Sequence, residues 1–180
     1  MAVFTLLATL VLRSGGGTVL DIGCGPGWWT GFVAQQDVDG LGVDISPEMV
    51  RIARDNNPDA RFEIGSLLGL PAEDATAAAT VCWFVLHHLP DEDVDAALAE
   101  MTRALKPGGV LLIGGHVGDS RRVKTEGYGG HPMKVLLNLR LPAEWETRLR
   151  GRGLHLEAHL LCEIDDPLPC HALFPRKALP

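Results

Sequence analysis

Short apolar runs alternate with segments whose apolar residues recur every three or four positions. Residues 2–13, AVFTLLATLVLR, are apolar almost throughout and predict a helix. Val19, Leu20 and Ile22 make a strand over 18–22, and further short runs predict strands at 41–44 and 60–64. The near-continuous run at 79–86 suits a parallel strand buried on both faces. Val94, Ala97, Leu98, Met101 and Leu105 share one helical face and are followed by a strand at 110–115. A helix at 143–150 and strands at 154–162 and 170–176 complete the pattern. In the 154–162 strand, period-two alternation puts His155 and His159 on a wetter face. Strands alternating with helices predict an α/β fold, a doubly wound sheet, in one domain of 180 residues.

Turn and cap residues divide these elements. Ser14-Gly15-Gly16-Gly17 is a flexible connector, and helix 28–36 follows a glycine-rich loop. Ser46 is a good N-cap and Pro47 suits the first helical position, so a helix runs from there to about Asn56. Asp91 is expected to cap the next helix, and Lys106-Pro107-Gly108-Gly109 to stop it. Residues 116–140 hold little regular pattern and predict an irregular insert at a position where substrate contacts are built.

The chemistry concentrates in Thr18–Thr30, TVLDIGCGPGWWT. Alternate glycines at Gly23, Gly25 and Gly27 allow positive φ and close approach of backbone to a ligand, where a Cβ would clash. The dinucleotide fingerprint GxGxxG is absent, because its third glycine falls on Trp28. Amides at the start of the following helix favour an anion. Trp28 and Trp29 either cover a ligand or pack against neighbours. Asp44 ends the second strand about 20 residues on, where ribose hydroxyls bind in this class of fold. A carboxylate suits that position because it accepts two hydroxyl hydrogen bonds side by side. Ile45 and Met49 are placed to sandwich a base, with core packing the competing role for Met49.

The pattern D-x-G-x-G-x-G over Asp21–Gly27 resembles the first motif of class I S-adenosylmethionine-dependent methyltransferases. VLHHLPDED, from Val85, and ALKPGGVLLI, from Ala104, are also similar to that family, and the matches run in order from Thr18 to Gly115. The resemblance implies a Rossmann-like sheet in the order 3-2-1-4-5-7-6, with a reversed final strand beside the fifth. It implies S-adenosylmethionine as cofactor, giving S-adenosylhomocysteine. The cofactor would be held by Asp21, Gly23, Cys24, Gly25 and Gly27, by Asp44, Ile45 and Met49, and by Ser66, Leu67 and Trp83. Many relatives carry Gly-Asp where this chain has Gly65-Ser66, so the acid that accepts from the adenine amino group is missing there. The implied group is the small-molecule one, including quinone-biosynthesis and natural-product enzymes.

Charge and composition narrow the partners. The net charge is −7, with 6 basic and 15 acidic residues before position 116 and 10 basic and 8 acidic after it. That balance argues against nucleic acid as substrate, as does WFVLHH in place of an NPPY-type tetrad. The basic excess includes Arg121, Arg122 and Lys124, which either meet an anionic substrate or line a solvated loop. The opening apolar stretch is too short to span a bilayer and lacks a basic n-region, so neither membrane insertion nor a signal peptide is expected. Cys24, Cys82, Cys162 and Cys170 form no CxxC pair and read as reduced thiols of a cytoplasmic protein. The seven histidines have no metal-ligand spacing. His87, His88 and His116 follow the fourth and fifth strands, on the edge where ligands bind, and His131 lies near Tyr128. His88 and His116 are the candidates for a general base toward a small hydroxyl or amine acceptor; a structural role competes for each. A methyltransferase-like binder without turnover is the alternative of a different class.

Overall fold

The computed structural model describes residues 2–162 and 169–179. The elements in chain order are α1 (Ala2–Arg13), β1 (Val19–Ile22), α2 (Trp28–Ala34), β2 (Gly40–Asp44), α3 (Pro47–Asn56), β3 (Arg61–Ile64) and β4 (Ala77–Trp83). They continue with α4 (Asp91–Ala104), β5 (Leu105–His116), β6 (Arg121–Glu126), β7 (Pro132–Asn138), α5 (Pro142–Arg150), β8 (Leu154–Cys162) and β9 (Cys170–Lys177).

The main sheet has seven strands in the order β3-β2-β1-β4-β5-β9-β8. The first five are parallel, whereas β9 runs antiparallel to both β5 and β8. With β6 and β7 set aside, this is the expected order, and β9 is the reversed strand. Period-two alternation decides which side of the sheet each residue serves. Leu20 and Ile22 of β1 join the core under α4 and α5 with Leu98, Met101, Trp145 and Leu149. Val19 faces the other side with Phe4, Leu7 and Val33 of α1 and α2. Asp21 follows Val19 to that side, where its Oδ2 accepts the Thr30 hydroxyl at 2.7 Å.

Several sequence expectations need correction. Residues 116–140 are not an irregular insert. β5 extends through His116, and β6 pairs with β7 as an antiparallel hairpin. The hairpin was hidden because its polar and apolar residues are split between two strands that pair only with each other. The fourth strand is 77–83 rather than 79–86, because Leu86–His88 close into a 3-10 turn. Asp91 does not cap α4. Pro90 occupies the cap position, and Asp91, in the first turn, is engaged by arginine side chains. Helix α4 ends at Ala104, ahead of the Lys-Pro-Gly-Gly segment, which runs in the first part of β5. Ser46 caps α3 as expected, its Oγ accepting the Met49 amide at 3.3 Å.

Candidate functional site

The carboxyl ends of β1, β2, β3 and β4 surround a cleft of about 400 Å³. Gly23, Asp44, Ile45, Ser66 and Leu67, five of the expected cofactor residues, line it. Val43, Gly65, Leu68, Val85, Leu89 and Asp93 complete the wall. Sequence spacing alone did not reveal these last six. Val85, Leu89 and Asp93 reach the cleft only because the turn after β4 folds the start of α4 across the strand ends.

The glycine loop adopts the strained geometry its residues permit. Gly23, Gly25 and Gly27 have φ of 72°, 51° and 81°. A Cβ on Gly23 would lie 2.5 Å from Val85 Cγ2, so Gly23 lets the post-β4 turn close over the loop. A Cβ on Gly25 would meet nothing within 4 Å and would project into open space. Gly27 supplies the left-handed N-cap of α2.

Asp44 is tied to that loop. Its Oδ2 accepts the Gly25 amide at 2.8 Å, and its Oδ1 accepts the Ser46 amide at 2.9 Å. Each carboxylate oxygen keeps a second lone pair, so the pair of amides orients Asp44 without saturating it. Ile45 beside it is 73% exposed and Met49 is 38% exposed. Apolar surface left open at a cleft mouth is what an apolar ligand face would cover. Ser66 has turned inward on its own loop, its Oγ accepting the Leu68 amide at 3.1 Å.

The remaining expected cofactor residues lie around the cleft rather than on its wall. Cys24 is buried in the small core with Val50, Ala53 and Phe62. Burial, with Asp21 and Asp44 nearby, pushes its thiol well above the ordinary range. Asp21 is 4% exposed beneath the loop, and burial raises its pKa to about 6 despite the Thr30 hydrogen bond. Trp83 faces α1, in an aromatic cluster where Phe4 and Trp29 stack at 3.5 Å and Trp83 meets Phe4 edge-on at 4.9 Å. Trp29 therefore packs, while Trp28 is 73% exposed. A Cβ at Gly114, paired with Trp83 across β4 and β5, would overlap the Trp83 ring.

Beyond the cleft, the ends of β4 and β5 gather three histidines. His87 lies between the other two, 4.1 Å from the His88 ring and 5.2 Å from the His116 ring. The Phe84 ring meets His116 edge-on at 5.0 Å, and Phe84 itself holds a φ of 60° that bulky residues rarely adopt. His87 is buried, and desolvation, with its histidine neighbours adding to it, lowers its pKa to about 3. It is neutral at pH 7. His88 Nδ1 lies 2.8 Å from the Leu136 carbonyl oxygen of β7. Only a donor satisfies that oxygen, so Nδ1 carries a proton, and in the corresponding neutral tautomer the lone pair falls on Nε2. His116 Nδ1 lies 3.4 Å from Cys170 Sγ. The structure thus brings His88 and His116 together around His87. His131 follows the 3-10 turn at the hairpin tip and is exposed, and the side chain of Tyr128 lies outside the described residues. His155 and His159 are exposed, as their strand face implied. Cys24 and Cys82 are free, buried thiols, and the Cys162 side chain lies outside the described residues. Among the described residues no cluster of histidine, cysteine or carboxylate side chains could hold a metal ion. No helix among them is long and apolar enough to cross a membrane.

The hairpin is fastened to this region by a residue that sequence reasoning missed. Arg140, just after β7, is 2% exposed. Its guanidinium donates to the carbonyls of Leu86, Leu89 and Asn138 at 3.2, 3.0 and 3.0 Å and to Asp91 Oδ1 at 2.9 Å. Asn138 adds a bond to the Leu89 carbonyl at 3.1 Å. An arginine in an alternating Leu-Asn-Leu-Arg-Leu run was the available signal.

Residues 19–109 match the family model described as a methyltransferase domain. The chain is 31% identical over 159 residues to a ubiquinone biosynthesis O-methyltransferase of Xylella fastidiosa, covering 79% of this chain and 62% of that protein's length. Among solved structures, an S-adenosylmethionine-dependent methyltransferase of Methanosarcina mazei shares the fold with a TM-score of 0.82 at 18% identity, over 92% of this chain and 94% of that one. A 1,6-didemethyltoxoflavin-N1-methyltransferase of Burkholderia thailandensis, solved with S-adenosylhomocysteine, gives 0.75 at 20% identity, over 97% and 78%. A family match across half the chain, on the glycine loop, the Asp44 strand end and the post-β4 turn, leads to one assignment: the chain belongs to the class I S-adenosylmethionine-dependent methyltransferases.

Proposed function

We propose that this chain transfers a methyl group to a small-molecule acceptor by in-line displacement. The observation that carries this reading is the Asp44 carboxylate, held by the Gly25 and Ser46 amides at the mouth of the apolar cleft. Its two remaining acceptor sites suit the vicinal hydroxyls of a ribose. The open space over Gly25 and the exposed Ile45 are a cradle of the kind a nucleoside ligand fills. In this reading Gly23, Gly25 and Gly27 shape the loop around the cofactor. Ile45 and Leu67 cover the base, with Met49 at the edge. Asp21, Cys24 and Trp83 support the loop from within the core. S-adenosylmethionine, when bound, supplies a methyl group on a sulfonium whose departing thioether is neutral.

The protein's part is then to align the acceptor and exclude water, a positioning effect worth several kcal/mol. The acceptor side lies between the histidine cluster and the β6–β7 hairpin. Relatives named for ubiquinone biosynthesis are O-methyltransferases, and a hydroxyl acceptor gives His88 Nε2 a proton to take. His116 is the second candidate. The acidic balance of the chain and the family match support a small molecule rather than nucleic acid, and a cytoplasmic location belongs to the same reading.

Calorimetry with S-adenosylhomocysteine tests the cofactor site. Binding in the micromolar range is expected, weakened at least tenfold in Asp44→Ala because a hydrogen bond to a charged group is worth about 1.5–3 kcal/mol. A folded wild-type protein that does not bind rejects the reading. Transfer of labelled methyl from S-adenosylmethionine into a metabolite pool separates an enzyme from a binder without turnover.

A further inference from the structure

We propose that Asp93 is the residue that recognises the exocyclic amino group of the cofactor's adenine. The inference rests on the cofactor reading above and adds a specificity-determining residue to it. An adenine amino group presents two N–H donors and needs an acceptor in the cleft. Asp44 is oriented by two backbone amides at the glycine loop, and in the cofactor reading its remaining acceptor sites serve the ribose hydroxyls. Ser66 stands where an acid would otherwise be, but its oxygen already accepts the Leu68 amide, and it is a short, neutral group.

On the facing wall, the first turn of α4 brings a second carboxylate to the same cleft. The three acids of that turn have separate fates. Asp91 is engaged by Arg140 and Arg148, and Glu92 is exposed to solvent. Asp93 is half-buried on the cleft wall beside Leu89, and among the described residues its carboxylate makes no hydrogen bond or ion pair. An acid in a first helical turn also complements the helix dipole, but that role is open to any of the three. Only Asp93 shares the cleft with Ile45 and Leu67, the residues placed to cover the base. The acceptor function has moved from the end of the third strand to the first turn of α4.

The chemistry gives a test that a purely structural role does not pass. S-inosylhomocysteine carries a carbonyl oxygen where S-adenosylhomocysteine carries the amine, so it turns a donor toward Asp93 into an acceptor. Calorimetry with both ligands on the wild type, Asp93→Asn and Asp93→Ser gives the preference ratio for each. Wild type is expected to prefer the adenosyl ligand by at least thirtyfold. Asp93→Asn, whose amide can donate to the inosine oxygen, should shrink that ratio about tenfold. Asp93→Ser should lose affinity for the adenosyl ligand about tenfold while changing inosyl binding less than threefold. Ratios unchanged within twofold in both variants overturn the proposal. Failure of the wild type to bind S-adenosylhomocysteine instead rejects the cofactor reading itself, so the two failures are distinct.

Discussion

Arg140 and Asp91 form an ion pair of unequal burial: the guanidinium is 2% exposed and the carboxylate 51%. The pair joins the end of the hairpin to the first turn of α4, across the turn that carries His87 and His88. Asp91 has a second cation in Arg148, at 3.0 Å, whereas Arg140 has Asp91 as its acidic partner among the described residues. Removing Asp91 therefore leaves a buried charge without its counter-ion, and removing Arg140 takes a charged donor from the carbonyls of Leu86, Leu89 and Asn138. Asp91→Ala and Arg140→Met are each expected to cost about 2–4 kcal/mol. The double variant should cost about as much as the worse single change, read from urea unfolding as a coupling energy.

Acid should destabilise the protein through its buried histidines. Desolvation lowers the pKa of His87 to about 3 and of His171 to about 4, from an ordinary value of 6.5. Both rings are neutral in the fold and take up protons more readily when unfolded, so stability falls as pH drops below 6.5. Asp21 acts in the opposite sense, because its raised pKa favours the fold as pH drops from about 6 toward 3.8. At one pKa unit per ~1.4 kcal/mol, the balance is a net loss of about 2 kcal/mol between pH 7 and pH 5. Denaturant titrations at the two values measure it.

Asp21 itself is a stability cost at neutral pH. Its carboxylate is ionised there although 4% exposed, against a pKa raised to about 6. Asp21→Asn keeps an acceptor for the Thr30 hydroxyl and removes the charge. It should raise stability by about 2–3 kcal/mol at pH 7. By pH 4, where the wild-type carboxyl is protonated in the fold, most of that gain should vanish. Melting curves at both pH values test the sign.

Gly23 and Gly25 predict opposite outcomes from the same substitution. Gly25→Ala places a methyl in open space, so the fold should lose only about 1 kcal/mol, from the positive φ. Its affinity for S-adenosylhomocysteine should fall more than tenfold, because the methyl occupies the cradle. Gly23→Ala drives a Cβ into Val85 and should cost the fold about 2–3 kcal/mol. Parallel melting and calorimetry separate the two.

If His88 is the base, His88→Asn offers a clean separation. An asparagine amide can donate to the Leu136 carbonyl as Nδ1 does, but it has no basic nitrogen. Labelled-methyl transfer should fall about 10²-fold, while cofactor affinity stays within threefold. An unchanged rate would shift the role to His116.

Local chemistry already contained much of this protein. The alternation of strand and helix, the glycines at 23, 25 and 27, the Ser46 cap and the acid at the end of β2 follow from residue type and spacing, because φ, capping and period-two burial are local properties. They set the sheet and the Asp44 end of the cleft. What the chain order could not show depended on residues far apart in sequence. The β6–β7 hairpin needed pairing partners outside any local period. Arg140 and the 86–91 turn are about fifty residues apart and are joined by a buried guanidinium whose carbonyl partners have no sequence signature. Asp93 looked like one of three acids in a helix start, and only the tertiary path of the post-β4 turn set it in the cleft. Tertiary packing likewise gathered His87, His88 and His116, since pleat and turn geometry decide which rings meet.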